Sequence, residues 1–197
     1  MKEVLIKEDI LREAQKLFQT YGLKKTTMED IAKALGKGKS TLYYYYQSKE
    51  LIFEEVLQKE LLEVFELTKL AVESAATAED KLKVFAITRI KALGDTINLY
   101  KLVCGDSMWQ STCNKTLFSA YAQQEISLVA SILQFGISKK EFNPEIEKEL
   151  DLLPMIIVSC IRGIEKDYFS DQLAGLEKSV FAISRLMVDG LKTKNKN

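Results

Sequence analysis

The sequence predicts an all-α fold of about nine helices, and three observations carry that prediction. Apolar residues recur at helical spacing along almost the whole chain. Only two prolines occur, Pro144 and Pro154, and alternating β-branched runs are few. Helix-start signatures of the Ser/Thr-x-x-Glu and Asn-Pro-Glu kinds punctuate the apolar stretches.

Taken in order, Ile6, Ile10, Ala14, Leu17, Phe18 and Tyr21 define a first amphipathic helix that Gly22 ends. Thr26 with Glu29 reads as a capping box for a second helix reaching about Leu35, with Ile31, Ala32 and Leu35 facing inward. Gly36 to Gly38 forms a turn, and a third helix follows from about Lys39 to Tyr45. Ser48 is the expected N-cap of a long fourth helix whose apolar side is Leu51, Ile52, Val56, Leu57, Leu61, Leu62 and Phe65. Continued to about Val72, it has roughly 25 residues and a length of roughly 37 Å. Ser74 to Glu79 is a small-residue break, after which Thr77 and Asp80 cap a fifth helix ending near Thr96. A shorter helical piece is expected near Leu99 to Met108, and a long helix from about Cys113 to Phe135. Gly136 and Lys139 to Asn143 predict a turn. Asn143-Pro144-Glu145 starts a helix expected to continue to about Phe169 with a kink at Pro154. A last helix is expected from about Asp171 to Lys192, followed by a polar tail, KTKNKN.

Composition narrows the function. The chain has 197 residues, 47% hydrophobic and 28% charged, enough for one or two domains with a real core. It contains no run of about 18 apolar residues, so no transmembrane helix is expected. The first residues, MKEVLIKEDI, carry acids and lack a long apolar stretch, so the expectation is a cytoplasmic protein without a secretory signal. Three widely spaced cysteines, Cys104, Cys113 and Cys160, do not make a disulfide framework. There is no histidine, which removes the commonest general base and metal ligand. No Cys-x-x-Cys pair, phosphate-cradling glycine loop or Gly-x-Ser-x-Gly elbow occurs. Neither an enzyme, a metal site nor a cofactor is expected.

Net charge is zero, but its distribution is uneven. Between Lys24 and Lys49 stand six lysines (24, 25, 33, 37, 39 and 49) against Glu29 and Asp30, a local excess of four positive charges. A basic segment on an acidic body is the asymmetry expected when one end meets phosphate. A solvated lysine-rich face would give the same charge pattern, so the motif must decide.

That motif is Thr26 to Leu51, TTMEDIAKALGKGKSTLYYYYQSKEL. Two short helices joined by a tight turn can place the second in a DNA major groove while the first braces it. Ala32 is small where the helices approach, and Gly36 permits the turn. Lys39, Ser40 and Thr41 begin the recognition helix, where side chains reach base edges. Tyr43, Tyr44 and Tyr45 can bond phosphates through their hydroxyls or stack on sugars. Lys49 and the start of the fourth helix offer a positive end to phosphate. Tyrosines at helical spacing more often pack a core, but four in a row, Tyr43 to Tyr46, cover every face of a helix and cannot all be buried.

These residues resemble the tetracycline-repressor (TetR) family of transcriptional regulators. The resemblance rests on Phe18, Tyr21-Gly22, Thr26-Thr27, Asp30-Ile31-Ala32, Gly36, Thr41-Leu42-Tyr43, Tyr45-Tyr46 and Ser48-Lys49-Glu50-Leu51. It covers about the first quarter of the chain; the remainder matches in length and helical character. It implies a DNA-binding domain over residues 1–50 and an effector-binding and dimerisation domain over 51–197. By the same resemblance Lys39, Ser40, Thr41 and Tyr44 fall at base-contacting positions, and Thr27, Tyr43, Tyr45 and Lys49 at phosphate-contacting ones. Three departures stand out: Lys37 where the family usually has an apolar residue, Gly38 in place of a serine-like cap, and Tyr46 in place of phenylalanine.

The resemblance further implies a homodimer built from the last two helices of each subunit. The broad apolar faces of Leu150, Leu153, Ile157, Ile161 and Ile164, and of Val180, Ile183, Leu186, Met187 and Leu191, are compatible with it. Ser159 and Gly163 are small residues at i, i+4 that let helices cross closely. Ordinary core is the competing reading of those faces. The middle helices are expected to hold an effector pocket, with Phe85, Cys104, Met108, Trp109, Phe118, Tyr121, Met155 and Arg162 as candidate lining residues for a small apolar or amphipathic ligand. The expected function is a repressor released from a palindromic double-stranded DNA operator by that ligand. The competing function is a helical ligand-binding or protein-interaction module whose DNA-binding motif does not act.

Overall fold

The computed structural model describes residues 2–96, 112–169 and 175–192, and among these every regular element is helical. In order they are α1 (Lys2–Lys25), α2 (Met28–Ala34), α3 (Lys39–Tyr45), α4 (Lys49–Ser74), α5 (Ala78–Asp95), α6 (Thr112–Ser138), a 3₁₀ segment (Pro144–Glu149), α7 (Leu153–Phe169) and α8 (Leu176–Leu191). The helical piece expected near Leu99 to Met108 lies outside the described residues. Residue contacts divide the chain into two compact units, with α4 split after Glu63.

The first unit holds α1 to α3, the start of α4 and the start of α6, up to Ser119. Ile10, Ala14, Phe18, Ile31, Leu42, Ile52 and Phe53 are all buried, and the rings of Phe18 and Phe53 meet edge to face at 5.4 Å. Gly22 interrupts α1 with φ 79° and ψ 159°, a conformation that a side chain would strain. Its carbonyl accepts from the buried Thr26 hydroxyl at 2.9 Å. That burial shifts the cap of α2 by one residue from the Thr26–Glu29 pair read in the sequence. Thr27 is the extended N-cap, its hydroxyl accepting from the Asp30 N–H at 3.2 Å. The Thr27 N–H in turn donates to the Asp30 carboxylate at 2.9 Å. The two adjacent threonines offered both registers, and the one that hides Thr26 prevailed.

The turn after α2 is closed by two backbone bonds back to that helix. Gly36 N–H donates to the Lys33 carbonyl and Lys37 N–H to the Ala32 carbonyl, each at 3.0 Å, with Gly36 left-handed at φ 63°. Gly38, at φ −70° and ψ 150°, caps α3 without any side-chain bond. Its carbonyl accepts from Thr41 N–H at 3.0 Å, which is enough to start the helix.

The second unit holds the rest of α4, α5, α6 from Ala120 onward, and the elements after it. Phe85, Ile90, Val129, Ile132, Leu133, Ile157, Ile161, Val180 and Val188 form its core. Thr77 caps α5 as the sequence predicts, its hydroxyl accepting from Asp80 N–H at 3.0 Å. Gly136 is not in a turn: α6 runs through it to Ser138, and the ring of Phe142 lies where a Gly136 side chain would be. The turn comes later, at Lys140, whose φ is 60°. The single kinked helix expected from Asn143 onward is two elements. Asn143 caps only the short 3₁₀ segment, accepting from Glu145 N–H at 2.9 Å. Pro154 then sits in the first turn of α7, where no intrahelical donor is needed, so it begins a helix instead of bending one. The last helix starts at Leu176, and residues 171–174 of its expected span lie outside the described residues.

Candidate nucleic-acid interface

The sequence of α3 distributes its side chains over inner and outer faces. Leu42 is fully buried and holds the helix to the unit. Tyr46, just after α3, is also buried, and its hydroxyl donates to Glu55 at 2.7 Å. Burial, reinforced by that carboxylate, pushes the Tyr46 phenol well above its usual value, so it stays protonated. The Lys7 ammonium lies 5.2 Å from the same ring. Of the four tyrosines, then, Tyr46 is the structural one.

Tyr43 and Tyr44 point outward, Tyr44 with 74% of its surface exposed. Tyr45 is half-buried and braces Tyr44 edge to face at 5.0 Å. The Tyr44 hydroxyl stands 3.5 Å from Glu3, too far for a strong bond. Lys39 and Ser40 are exposed and Thr41 half-buried at the start of the helix. Thr27, Lys39, Tyr43 and Lys49 line one open cleft together with Met28, Glu29, Gln47, Ser48 and Glu50. Four of the eight residues expected to touch DNA therefore share one concavity, made by the starts of α2, α3 and α4.

Two of those four have local commitments that the sequence did not reveal. The Lys49 ammonium donates to the carbonyls of Leu23, Thr26 and Lys24 at 2.7, 2.8 and 3.3 Å. An ammonium has three donors, so Lys49 fixes the start of α4 to the chain around the end of α1. The Thr27 hydroxyl donates to Asp30 at 2.6 Å while accepting from its N–H, so it serves the α2 cap. These hydrogen bonds hold the Asp30 carboxyl below its ordinary range.

The expected pocket residues fall in different environments. Phe85 is completely buried in the core, which is where large aromatic side chains between packed helices go. Met155 is exposed on α7, Phe118 is half-buried, and Cys104, Met108 and Trp109 lie outside the described residues. Tyr121 and Arg162 belong to a feature that the sequence reading missed. Arg89 of α5 is buried between Glu125 of α6 and Glu165 of α7 and hydrogen-bonds to both. Arg162 donates to the other oxygen of Glu125 at 2.8 Å. Burial works against the Arg89 charge, but the two carboxylates outweigh it and raise its pKa. Tyr121, buried beside Glu125, has its phenol pushed up, by burial first. The available signal was spacing: Tyr121 and Glu125 at i, i+4, and Arg162 and Glu165 at i, i+3, on otherwise apolar stretches.

The expected dimer residues also divide. Ile157 and Ile161 are buried within the subunit, and Ile164 and Met187 pack against the same core. Those apolar faces thus cover their own chain. Ile183 is half-buried, whereas Ser159, Gly163 and Leu186 are exposed, as are Leu152, Met155, Ile156 and Phe181.

A family model described as "Bacterial regulatory proteins, tetR family" matches residues 10–56, the stretch containing α2, α3 and the cleft. A transcriptional regulator from Cytophaga hutchinsonii shares the fold with a TM-score of 0.75 and 30% identity, over 94% of this chain and 98% of that one. The HTH-type transcriptional repressor KstR2 of Rhodococcus jostii is 27% identical over 144 residues, 72% of this chain and 70% of that protein. The transcriptional regulator FadR from Bacillus subtilis, solved in complex with stearoyl-CoA, has a TM-score of 0.73 at 19% identity over 93% of this chain and 98% of that one, a likeness of fold.

Proposed function

Since the chain belongs to the TetR family of bacterial transcriptional regulators, and so is a DNA-binding regulator, we propose that it is a dimeric repressor of a palindromic operator. The observation that carries the reading is the outward display of Tyr43, Tyr44 and Lys39 from a short helix whose inner face is anchored by Leu42. Lys39, Ser40, Thr41 and Tyr44 read base edges, and Tyr43 contacts phosphate. Lys49, Tyr45 and Thr27 act mainly by holding that display in place, because their polar atoms or rings are already engaged.

Two substitutions separate these roles. Tyr43→Ala is expected to weaken binding to all duplexes about tenfold, and Lys39→Ala to relax preference at one base pair by roughly 1–3 kcal/mol. Selection of bound duplexes from a random pool, followed by binding titrations on the enriched site, measures both. An enriched palindrome with half-sites near one helical turn apart supports a symmetric dimer. Absence of enrichment at low salt would sink the reading and favour a protein-interaction module.

We place the dimer contact on the exposed faces of α7 and α8. Gly163 has open space where a side chain would stand, and a mid-helix glycine costs about 1 kcal/mol relative to alanine unless something approaches it closely. Leu186, 71% exposed one helix away, is the apolar anchor of that face. Gly163→Leu is therefore expected to preserve helicity while shifting the mass in solution toward monomer, measured by light scattering during gel filtration. An unchanged dimer would move the interface elsewhere.

The proposed effector is a small apolar or amphipathic molecule bound in the second unit. One regulator of this fold, FadR of Bacillus subtilis, is known with stearoyl-CoA, which makes long-chain acyl thioesters a reasonable first set to screen. Ligand would favour a dimer whose recognition helices no longer match the operator spacing. Moving occupancy from nearly full to nearly empty needs about 5 kcal/mol of differential affinity.

A further inference from the structure

Glu29 is an acid in the wall of the open cleft beside α3. It lines that cleft beside Thr27, Lys39, Tyr43 and Lys49. Helix capping does not explain it, because Thr27 and Asp30 make the cap of α2. Its side chain is 76% exposed, so core packing does not explain it either. What it touches is Lys39: the carboxylate stands 3.5 Å from the ammonium of the first residue of α3.

We propose that Glu29 is a specificity-determining residue of the DNA interface, which withholds the Lys39 ammonium from phosphate and leaves it available to base edges. The proposal rests on the reading of α3 as the recognition helix. In free solution an exposed pair of this kind is weak, about 0–1 kcal/mol. Against DNA the balance changes. A lysine that binds phosphate alone releases counterion and gains affinity for any sequence. A lysine tied to a carboxylate is a neutral pair and gains little from phosphate. Leaving the carboxylate would strand Glu29 against the polyanion. A base edge is different: an ammonium has three donors, so Lys39 can keep one bond to Glu29 and direct the others to the adjacent acceptors of a guanine. Glu29 therefore penalises binding away from the operator more than binding to it.

The test is a double-mutant cycle on the full-length protein with two duplexes, the selected operator and a scrambled sequence of equal length. Glu29→Gln is expected to raise affinity for the scrambled duplex roughly five- to tenfold at about 0.1 M salt while changing operator affinity less than twofold. The salt slope on the scrambled duplex should steepen by about one phosphate contact. In a Lys39→Ala background, Glu29→Gln should shift both duplexes equally. Glu50→Gln is the charge control, since Glu50 lines the same cleft without an ion pair to Lys39 among the described residues. It should also shift both equally. Glu29→Gln moving both duplexes alike, or keeping its discrimination without Lys39, would overturn the proposal. If Lys39→Ala alone leaves the selected motif unchanged, the base-reading role of Lys39 fails and the proposal falls with it. If the protein selects no motif, the recognition-helix reading fails first. All variants are exposed substitutions, and a thermal melt of each verifies that folding is intact.

Discussion

Replacing Arg89 with methionine is expected to lower the melting temperature by roughly 10 °C. Arg89 joins α5 to Glu125 of α6 and to Glu165 of α7, all three side chains being almost fully buried. Methionine fills much of the volume but removes the charge. Glu125 retains Arg162 at 2.8 Å, whereas Glu165 keeps no other ion pair among the described residues. A buried carboxylate without a partner typically costs about 3–5 kcal/mol. In a chain of this length each kcal/mol moves the midpoint by about 2–4 °C. One further measurement identifies the cause as a stranded charge and not a cavity. Adding Glu125→Leu and Glu165→Leu to Arg89→Met should recover most of it, because an apolar replacement of a whole buried ion network is often neutral or stabilising. A loss undiminished in the triple variant would mean that packing around Arg89, not its charge, holds the three helices.

How far the chain could be read in advance depended on whether the deciding interaction was local. The span of α3, Lys39–Tyr45, was legible because its turn, its cap and its end are set by adjacent residues. So was the start of α5, where Thr77 and Asp80 bond to each other. The cap of α2 slipped by one because Thr26 and Thr27 both fit locally, and only the burial of Thr26 against α1 decides between them. Pro154 suggests a kink in the sequence because spacing cannot tell the first turn of a new helix from the middle of an old one. The candidate site followed the same rule. Outward tyrosines could be deduced, since four in a row exhaust the faces of a helix. The commitment of Lys49 to the carbonyls of Leu23, Lys24 and Thr26 could not, because it depends on a contact across 23 to 26 positions. Ile157 and Ile161 were candidates for a partner surface because an apolar stripe carries no label for what covers it; here their own chain does.

Glu60 gives the expectation with the clearest pH signature. It lies on α4, 3% exposed, and one carboxylate oxygen accepts from the Gln15 amide of α1. The other oxygen has no hydrogen-bond partner among the described residues. Burial raises its pKa from 4.5 to about 7; the Gln15 bond opposes the rise and Glu63 on the same helix adds to it. A carboxyl whose folded value is raised is held more tightly as the acid in the folded state than in the unfolded chain. Its stabilising contribution is therefore full below about pH 4.5, declines above that, and is lost as pH rises through about 7. The stability of the first unit should fall between pH 5 and 8 by on the order of 2–3 kcal/mol from this group alone. Glu60→Gln removes the titration while keeping a neutral side chain of the same shape beside Gln15. Its melting temperature should match the parent at pH 5 and exceed it by several degrees at pH 8. Because every other titrating group is common to both proteins, the difference between them isolates Glu60. A difference that stays constant from pH 5 to 8 would show that the buried carboxyl does not change its charge in this range. A difference that grows with pH would mean that, at neutral pH, the first unit works with a partly ionised acid inside its own core. On the proposed reading of α3 as the recognition helix, grip on DNA would then weaken on alkalinisation through the packing of α1 on α4.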